Sequence, residues 1–583
     1  YAVLVGLFVS WLFVYSEYST RFDGFYQRMT IYLAAAYLMA WLASSADDQP
    51  FEWSRSLSAL ILLGGIFSAT YASQSVVDFP FGQYWSEGNR FYDYSVLFGR
   101  RLYDYPQDQP LTAFIDIGRQ SLWGLPFLFG NISIWTMRLW YQVVFSVPYI
   151  LLGWVFIRRV DVGNRLWLLF GLWAFLFLNQ GPIYTPLVLA AVLVALTRRT
   201  PWWLGFILIA VASYYARVSR FTWLFAPGIW GAVIAFVETT PQDIRTTAQR
   251  WGRAILFGCS GLLGGYLIPE ILHRLQAGSS DLNVAPASFD FEGVSQIVGR
   301  QPLLWERLWP SETYPLGIVY GLLLAAGPLI VLLIYTIASR RWKLDIWQKL
   351  AMGIMSLAFL VVGVIASVKI GGGSNLHNLD MFLIALFFMA GLALEYGMTS
   401  VLQISNSLPR WGIIMLLAAI AYPSANNMFN VLPRVYPDAE IVDEVIDAVK
   451  GRIADAKGEG EVLFIDHRQL LTFGYIEDVP LVPDYEKKYM MDLAMADDVE
   501  YFETFYDDLA AHRFSLIISE PLHAGFQEDV HSFGNENNAW VRWVSIPVLC
   551  YYEPVAEYPQ VGLMVLEPKE KSPPKPDLTC PEP

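Results

Sequence analysis

The sequence is short of charge. Only 16% of its 583 residues are Asp, Glu, Lys or Arg, against about 25% in soluble domains, so much of the chain is not built to face water. It is also short of cysteine and histidine. Three cysteines cannot form a disulfide scaffold, and no grouping of them with the six histidines has the spacing of a zinc site; no metal-ligand set is expected, and a divalent-metal requirement stays open. No glycine-rich phosphate loop opens a helix, which removes the common nucleotide-binding reading. Basic excess is absent too: the net charge is −14, and no nucleic-acid partner is expected.

What is abundant is apolar surface: 55% of residues are hydrophobic, 16% aromatic, and the mean hydropathy is +0.39. Apolar cores recur at residues 2–15, 31–44, 57–72, 139–157, 166–178, 187–196, 202–215, 221–237, 255–268, 316–338, 350–368, 381–394 and 411–425. A helix of about 20 apolar residues crosses a bilayer and satisfies its own backbone hydrogen bonds. The expected fold is therefore an α-helical polytopic membrane protein, with about 11–13 transmembrane helices in residues 1–428. The segments flanking Asn179-Gln180-Gly181-Pro182 are short, as in a broken or re-entrant hairpin. The chain opens inside an apolar run without an initiator Met or a charged leader, and sequence upstream of residue 1 is expected.

Charge divides the chain in two. Residues 430–583 carry 30 Asp/Glu against 12 Lys/Arg, whereas residues 1–429 carry 23 against 27. The acidic part, 429–570, reads as a soluble α/β domain. Helical spacing runs over 440–456 and 499–511, and strand-like runs occupy 461–466, 514–519, 539–546 and 562–566. The Pro-rich end, 571–583, has the composition of a disordered tail.

Basic residues fix an expected topology. Arg158/Arg159/Arg165, Arg198/Arg199, Arg245/Arg250/Arg253 and Arg340/Arg341/Lys343/Lys349 fall in alternate loops, which are expected on the cytoplasmic side. Residues 76–138, 179–182, 217–220, 276–314 and 369–380 then face outward, together with the acidic domain. Arg217, Arg220 and Lys369 break the charge bias by lying on the outer side, which marks them as candidates for binding an anion rather than for setting topology.

The loop 76–138 holds the densest polar set: Ser86-Glu87-Gly88-Asn89-Arg90, then Tyr92-Asp93, then Gly99-Arg100-Arg101. A carboxylate here can take the proton of an acceptor hydroxyl, with Glu87 the first candidate and Asp93 the reserve; Arg90 beside them can hold an anionic leaving group. A solvated loop with self-paired charges is the competing reading. A second set, Lys369-Ile-Gly371-Gly372-Gly373-Ser374-Asn375-Leu-His377, combines backbone freedom with a cation and donors, which suits a phosphate; a flexible turn with a snorkelling lysine is its plain alternative. Arg217 and Arg220 fit a lipid-linked phosphate or simple headgroup anchoring. Asp466-His467-Arg468 and Asp484-Tyr485-Glu486 in the acidic domain read as strand-end and helix-cap residues.

The layout, with Glu87-Gly88-x-x-x-Tyr92-x-x-Ser95, then Gly99 and Leu102-Tyr103-x-Tyr105, resembles the bacterial GT-C glycosyltransferases, among them the protein O-mannosyltransferases and lipid A aminoarabinose transferases. The turn Lys369-x-Gly371-Gly372-Gly373-x-Asn375 is similar to the Lys- and Gly-containing loop of those enzymes. The resemblance covers residues 1–428. It implies an inner-membrane enzyme that moves a sugar from a polyprenyl-phosphate carrier to an acceptor on the outer face. Glu87 or Asp93 would be the base, with Arg90, Arg217, Arg220, Lys369, Asn375 and His377 around the lipid phosphate. The family's leading Asp is Ser86 here, a departure that bears on the identity of the base. Membrane lipid, lipid-linked sugar and a protein or glycan acceptor at the C-terminal domain are the implied partners. The alternative is a catalytically silent GT-C-like subunit that scaffolds a larger membrane complex.

Overall fold

A computed structural model describes residues 1–44, 53–106, 116–158, 163–198, 200–238, 247–276, 299–369, 371–397, 408–428 and 431–570. Arg159, Arg199, Arg245, Cys580 and the Pro-rich end lie outside the described residues. The chain is mostly helical. Seven helices are long and apolar enough to cross a membrane: Trp53–Ser73, Ile134–Ile157, Trp202–Ser219, Ala248–Leu272, Gly317–Ala338, Ile346–Ser367 and His377–Tyr396. Shorter apolar helices accompany them at Ala2–Val14, Leu166–Leu178, Thr185–Leu196, Phe221–Val237 and Arg410–Ala425.

The short pair around residue 180 has a packing reason. Helix Thr185–Leu196 is buried along nearly its whole length, inside a core shared with Tyr149, Trp223, Trp230 and Phe387. It faces protein rather than lipid, and its preceding turn abuts Leu376 and His377, since a side chain at Gly181 would strike their backbone.

Most basic loops gather at one end of the helical body. Arg198 pairs with Glu238 and Glu395, Arg250 with Asp345 at 2.5 Å, and Arg253 donates to the Thr197 carbonyl. The other end carries the acidic domain. Its sheet has strands β1 (Glu461–Phe464), β2 (Phe514–Ser519), β3 (Tyr552–Tyr558) and β4 (Leu563–Pro568), in the order β1-β2-β4-β3. β1 and β2 are parallel, joined by a helical crossover, while β4 runs antiparallel to both β2 and β3.

Both faces of the sheet are covered at its centre, where β2 is buried throughout, while the edge strand β3 carries exposed Glu553 and Glu557. Helix Ala439–Asp455 lays Val442, Val445, Ile446, Val449 and Ile453 on one face; Phe502, Phe505, Leu509 and Val541 lie on the other. The expected strand at 539–546 is a correction. That segment is helical, within Gly534–Trp540, a π turn at Val541–Ser545 and Ile546–Tyr551. Its buried residues Val541, Val544, Ser545 and Val548 follow helical spacing, and the β-branched and aromatic composition obscured that period.

The acidic domain does not close its core alone. Phe81, Tyr92, Val96 and Tyr103 of the first outer segment join its sheet residues in one apolar cluster. Around them Asn89 Nδ2 donates to the Ile465 carbonyl at 2.8 Å, Tyr103 and Thr472 hydroxyls meet at 2.7 Å, and Leu481 N–H donates to the Asp104 carbonyl.

A second clamp forms at the glycine-rich turn. Glu536 Oε2 takes Arg307 Nη2 at 2.5 Å, and its Oε1 takes the Gly371 N–H at 3.1 Å, while Arg307 also donates to the Gly372 carbonyl. Both side chains of the pair are buried. Removing one member of such a pair leaves the other charge desolvated, at about 3–5 kcal/mol. Glu536→Ala is expected to lower the thermal unfolding midpoint markedly, and Glu536→Ala combined with Arg307→Met to recover part of it. Unchanged melting of the single variant in detergent would contradict the clamp.

Candidate functional site

The first outer helix, Glu87–Gly99, is buried on nearly every side, and its carboxylates have opposite fates. Glu87 is fully engaged: Oε2 accepts from Arg138 Nη2 at 2.9 Å and Gln83 N–H at 2.8 Å, and Oε1 accepts from Arg138 Nε at 3.2 Å. Arg138 further donates to the Val77, Phe79 and Phe81 carbonyls. The cation paired with Glu87 is thus Arg138, from helix Ile134–Val144, and not the neighbouring Arg90. Arg90 instead lies over the Tyr84 ring at 5.8 Å. The pair ties the entry of the outer segment to helix Ile134–Val144.

Asp93 is buried as deeply, but its Oδ1 is enclosed without a hydrogen-bond partner among the described residues. Burial pushes its carboxyl well above the usual range, Glu486 adds to the rise, and Lys488, Arg468 and Arg119 oppose it. A buried acceptor oxygen with nothing to accept is uncommon in folded proteins and calls for a functional account.

Around Asp93 the chain assembles charges from distant parts. Gly118 lets helix Ile117–Trp123 press against the end of Trp202–Ser219, because a Cβ there would lie 2.3 Å from Ser219 Oγ. That approach brings Asp116 into the fields of Arg119, Lys488, Arg220 and Arg217. Arg119 stacks over Tyr184 at 4.3 Å. Arg220 donates to Asn378 Oδ1 at 2.9 Å and lies 3.8 Å from Asp380, whose Oδ2 also accepts from Trp223 Nε1 at 2.7 Å. His377 is held by Asn375, which accepts from both its backbone N–H and ring Nδ1. The acidic domain adds Lys488 and Asp492 from helix Lys487–Ala494.

Several of these groups, Arg90, Arg119, Tyr184, Lys488 and Asp492 among them, are only half-buried yet strongly desolvated. They gather where the helical body meets the acidic domain, each within electrostatic reach of its neighbours. The field there is positive at Tyr184: burial alone would raise its phenol, but Arg119, Arg90, Arg220 and Lys488 bring it down to about 8. Burial and Arg119 push the Lys488 ammonium down, and burial raises Asp492 to about 6.

Of the residues singled out from sequence, Arg90, Asp93, Arg220 and His377 converge here, Arg217 acts through Asp116, and Asn375 positions His377. Lys369 donates to the Gln301 carbonyl at 2.7 Å, and the glycine turn beside it holds the chain's own carboxylate, Glu536. Sequence reasoning missed Asp116, Arg119, Arg138, Tyr184, Asp380, Lys488 and Asp492. The one signal for Lys488 was a Lys-Lys pair in a domain otherwise poor in cations. No protein-family model matches the chain, and no curated protein matches it significantly.

The two carboxylates should separate by stability. Glu87→Ala strands Arg138 and is expected to cost about 3–5 kcal/mol. Asp93→Asn, which relieves a desolvated acid, is expected to leave stability unchanged or raised, as is common where a site is shaped for function. Thermal unfolding of both variants in the same detergent checks this. Equal destabilisation would show that Asp93 is structural as well.

Proposed function

We propose that the chain is an integral-membrane glycosyltransferase that moves a sugar from a polyprenyl-phosphate carrier to a hydroxyl acceptor, with Asp93 as the base. The observation that carries this reading is the unpartnered Asp93 oxygen within a cluster of cations where the helices meet the acidic domain. Arg119, Arg90 and Arg220 are suited to a phosphate, because guanidinium groups bind its oxygens by paired, charge-assisted hydrogen bonds. Once they hold it, the sugar's anomeric carbon faces away from them. The acceptor hydroxyl gives its proton to Asp93 as its oxygen bonds to that carbon. The bond to the carrier oxygen breaks on the opposite face, and its electron pair leaves on the phosphate. Inversion follows from that geometry.

Asp93 suits the role better than Glu87. Both Glu87 oxygens already accept from Arg138, whereas the Asp93 shift moves a weak base towards the pH at which it works. The basic loops at the far end of the helices support placing that end in the cytoplasm and the acidic domain outside, in a multi-pass inner membrane protein.

The test is turnover of polyprenyl-phospho-sugars by purified protein with cell-envelope acceptors. Asp93→Asn is expected to lower the rate by about 10²–10⁴, and Arg220→Ala to weaken carrier binding by about ten- to a hundredfold. Asp93 must be ionised to act and its folded pKa is raised. The acidic limb of kcat/KM should therefore lie above the ordinary carboxylate range, the rate rising with pH through it, and the limb should vanish in Asp93→Asn. Wild-type turnover in Asp93→Asn would sink the assignment; absence of turnover in wild type across carriers and acceptors would favour the scaffolding subunit.

A further inference from the structure

An open-mouthed cavity of about 250 Å³ lies where residues 82–88 meet the acidic domain. Ser86 and Tyr84 line one wall, and Asp466, His467, Gln469 and Glu520 the other. Its construction is unusual in two respects. Ser86 (φ 60°) and His467 (φ 58°) both hold left-handed backbone, a strain of about 1–3 kcal/mol each that persists where the surroundings enforce it. Ser86 Oγ and Gln469 Oε1 are 2% and 1% exposed as residues, yet neither atom has a hydrogen-bond partner among the described residues.

The charges in the wall select the occupant. Lys487 Nζ bridges Asp466 Oδ2 at 2.9 Å and Glu520 Oε2 at 2.6 Å, so the position a cation would take between the carboxylates is filled. Burial lowers the His467 imidazole to about 4. It is neutral at pH 7, with Nε2–H donated to the Gly562 carbonyl at 2.9 Å, so Nδ1 is the acceptor and takes a long hydrogen bond of 3.5 Å from Gln469 Nε2. The wall therefore offers one spare acceptor, Gln469 Oε1, and one spare hydroxyl, Ser86 Oγ; burial raises the Asp466 carboxyl to about 7 against the pull of Lys487, so the wall carries little net charge and rewards hydroxyl groups over ions. At roughly 30 Å³ per water the space equals about eight waters. That is below drug-sized pockets and near the size of one sugar ring. Trp85, between the lining residues Tyr84 and Ser86 in sequence, is 46% exposed, with its ring 5.5 Å from Lys487 Nζ.

We propose that this cavity is a carbohydrate-binding subsite that takes one neutral sugar ring through its hydroxyls, with Ser86 and Gln469 as its partners. Tyr84 joins it to the Asp93 cluster, since the same ring carries Arg90 on its face. If the transfer reading above holds, on which this last step rests, the ring belongs to the acceptor.

Saturation-transfer NMR on the full chain in nanodiscs, with methyl glycosides of mannose, glucose, galactose and N-acetylglucosamine, tests the binding directly. At least one glycoside should receive saturation. Gln469→Ala should weaken it about three- to tenfold. Gly82→Leu should abolish it, because a Cβ at Gly82 meets nothing nearer than the Tyr84 carbonyl at 3.7 Å and the longer side chain grows into the cavity. Asp93→Asn should bind as wild type does, so loss of transfer and loss of this subsite remain separable. No saturation with any glycoside, binding unchanged in both cavity variants, or displacement by inorganic phosphate would overturn the proposal.

Discussion

The burial of the first outer segment between the membrane helices and the acidic domain is the constraint on which the rest of the structure depends. Its helix, Glu87–Gly99, has no free face. On one side Glu87 is locked to Arg138 of the next helix; on another Tyr92 and Val96 complete the sheet's core. Gly88 permits the closest approach, because a side chain there would overlap Gln469. Fully burying an apolar side chain contributes about 1.5–3 kcal/mol, so Phe81 and Val96 alone bind the two bodies by several kcal/mol. Breaking the Glu87–Arg138 pair would free the segment that carries every group of the Asp93 cluster on that side.

That same burial explains why the groups of the cluster titrate away from their ordinary ranges. Ionisable groups in water keep ordinary pKa values and weak mutual fields. Enclosed between three structural elements, Asp93, Lys488, Tyr184 and Asp492 are all moved towards neutrality or towards pH 7, and an arriving anion would meet Arg119, Arg90 and Arg220 with little water between. The cavity at Ser86 and His467 differs in kind from the Asp93 cluster: cations dominate the cluster, whereas the ammonium beside the cavity, Lys487, is paired with two carboxylates. An anionic donor and a neutral hydroxyl acceptor are a natural pair for such neighbours.

The helical body was legible in the sequence because a membrane span declares itself by length and apolarity, and the polar density at Glu87–Asp93 marked a segment that the structure buries with its charges. Arg220 stood out by violating the charge bias, and it does enter the cluster. The rest depended on contacts no local pattern encodes. Glu87 and Asp93 are six residues apart on one helix, and only the position of Arg138, far along the chain, makes one structural and leaves the other open. Lys488 and Asp492 arrive from the acidic domain. Asp466 and His467 read as strand-end residues and in fact line a cavity wall. The turn at Gly371–Gly373, read from sequence as a phosphate site, holds Glu536 of the same chain.

The most direct test is a cryo-EM map of the protein in nanodiscs containing a polyprenyl monophosphate. The account predicts phosphate density within hydrogen-bonding reach of Arg119, Arg90 and Arg220, with Asp93 facing the same space. Density at Lys369 with Glu536 displaced from the glycine turn, or an unoccupied Arg119–Arg220 site at saturating lipid, would contradict it.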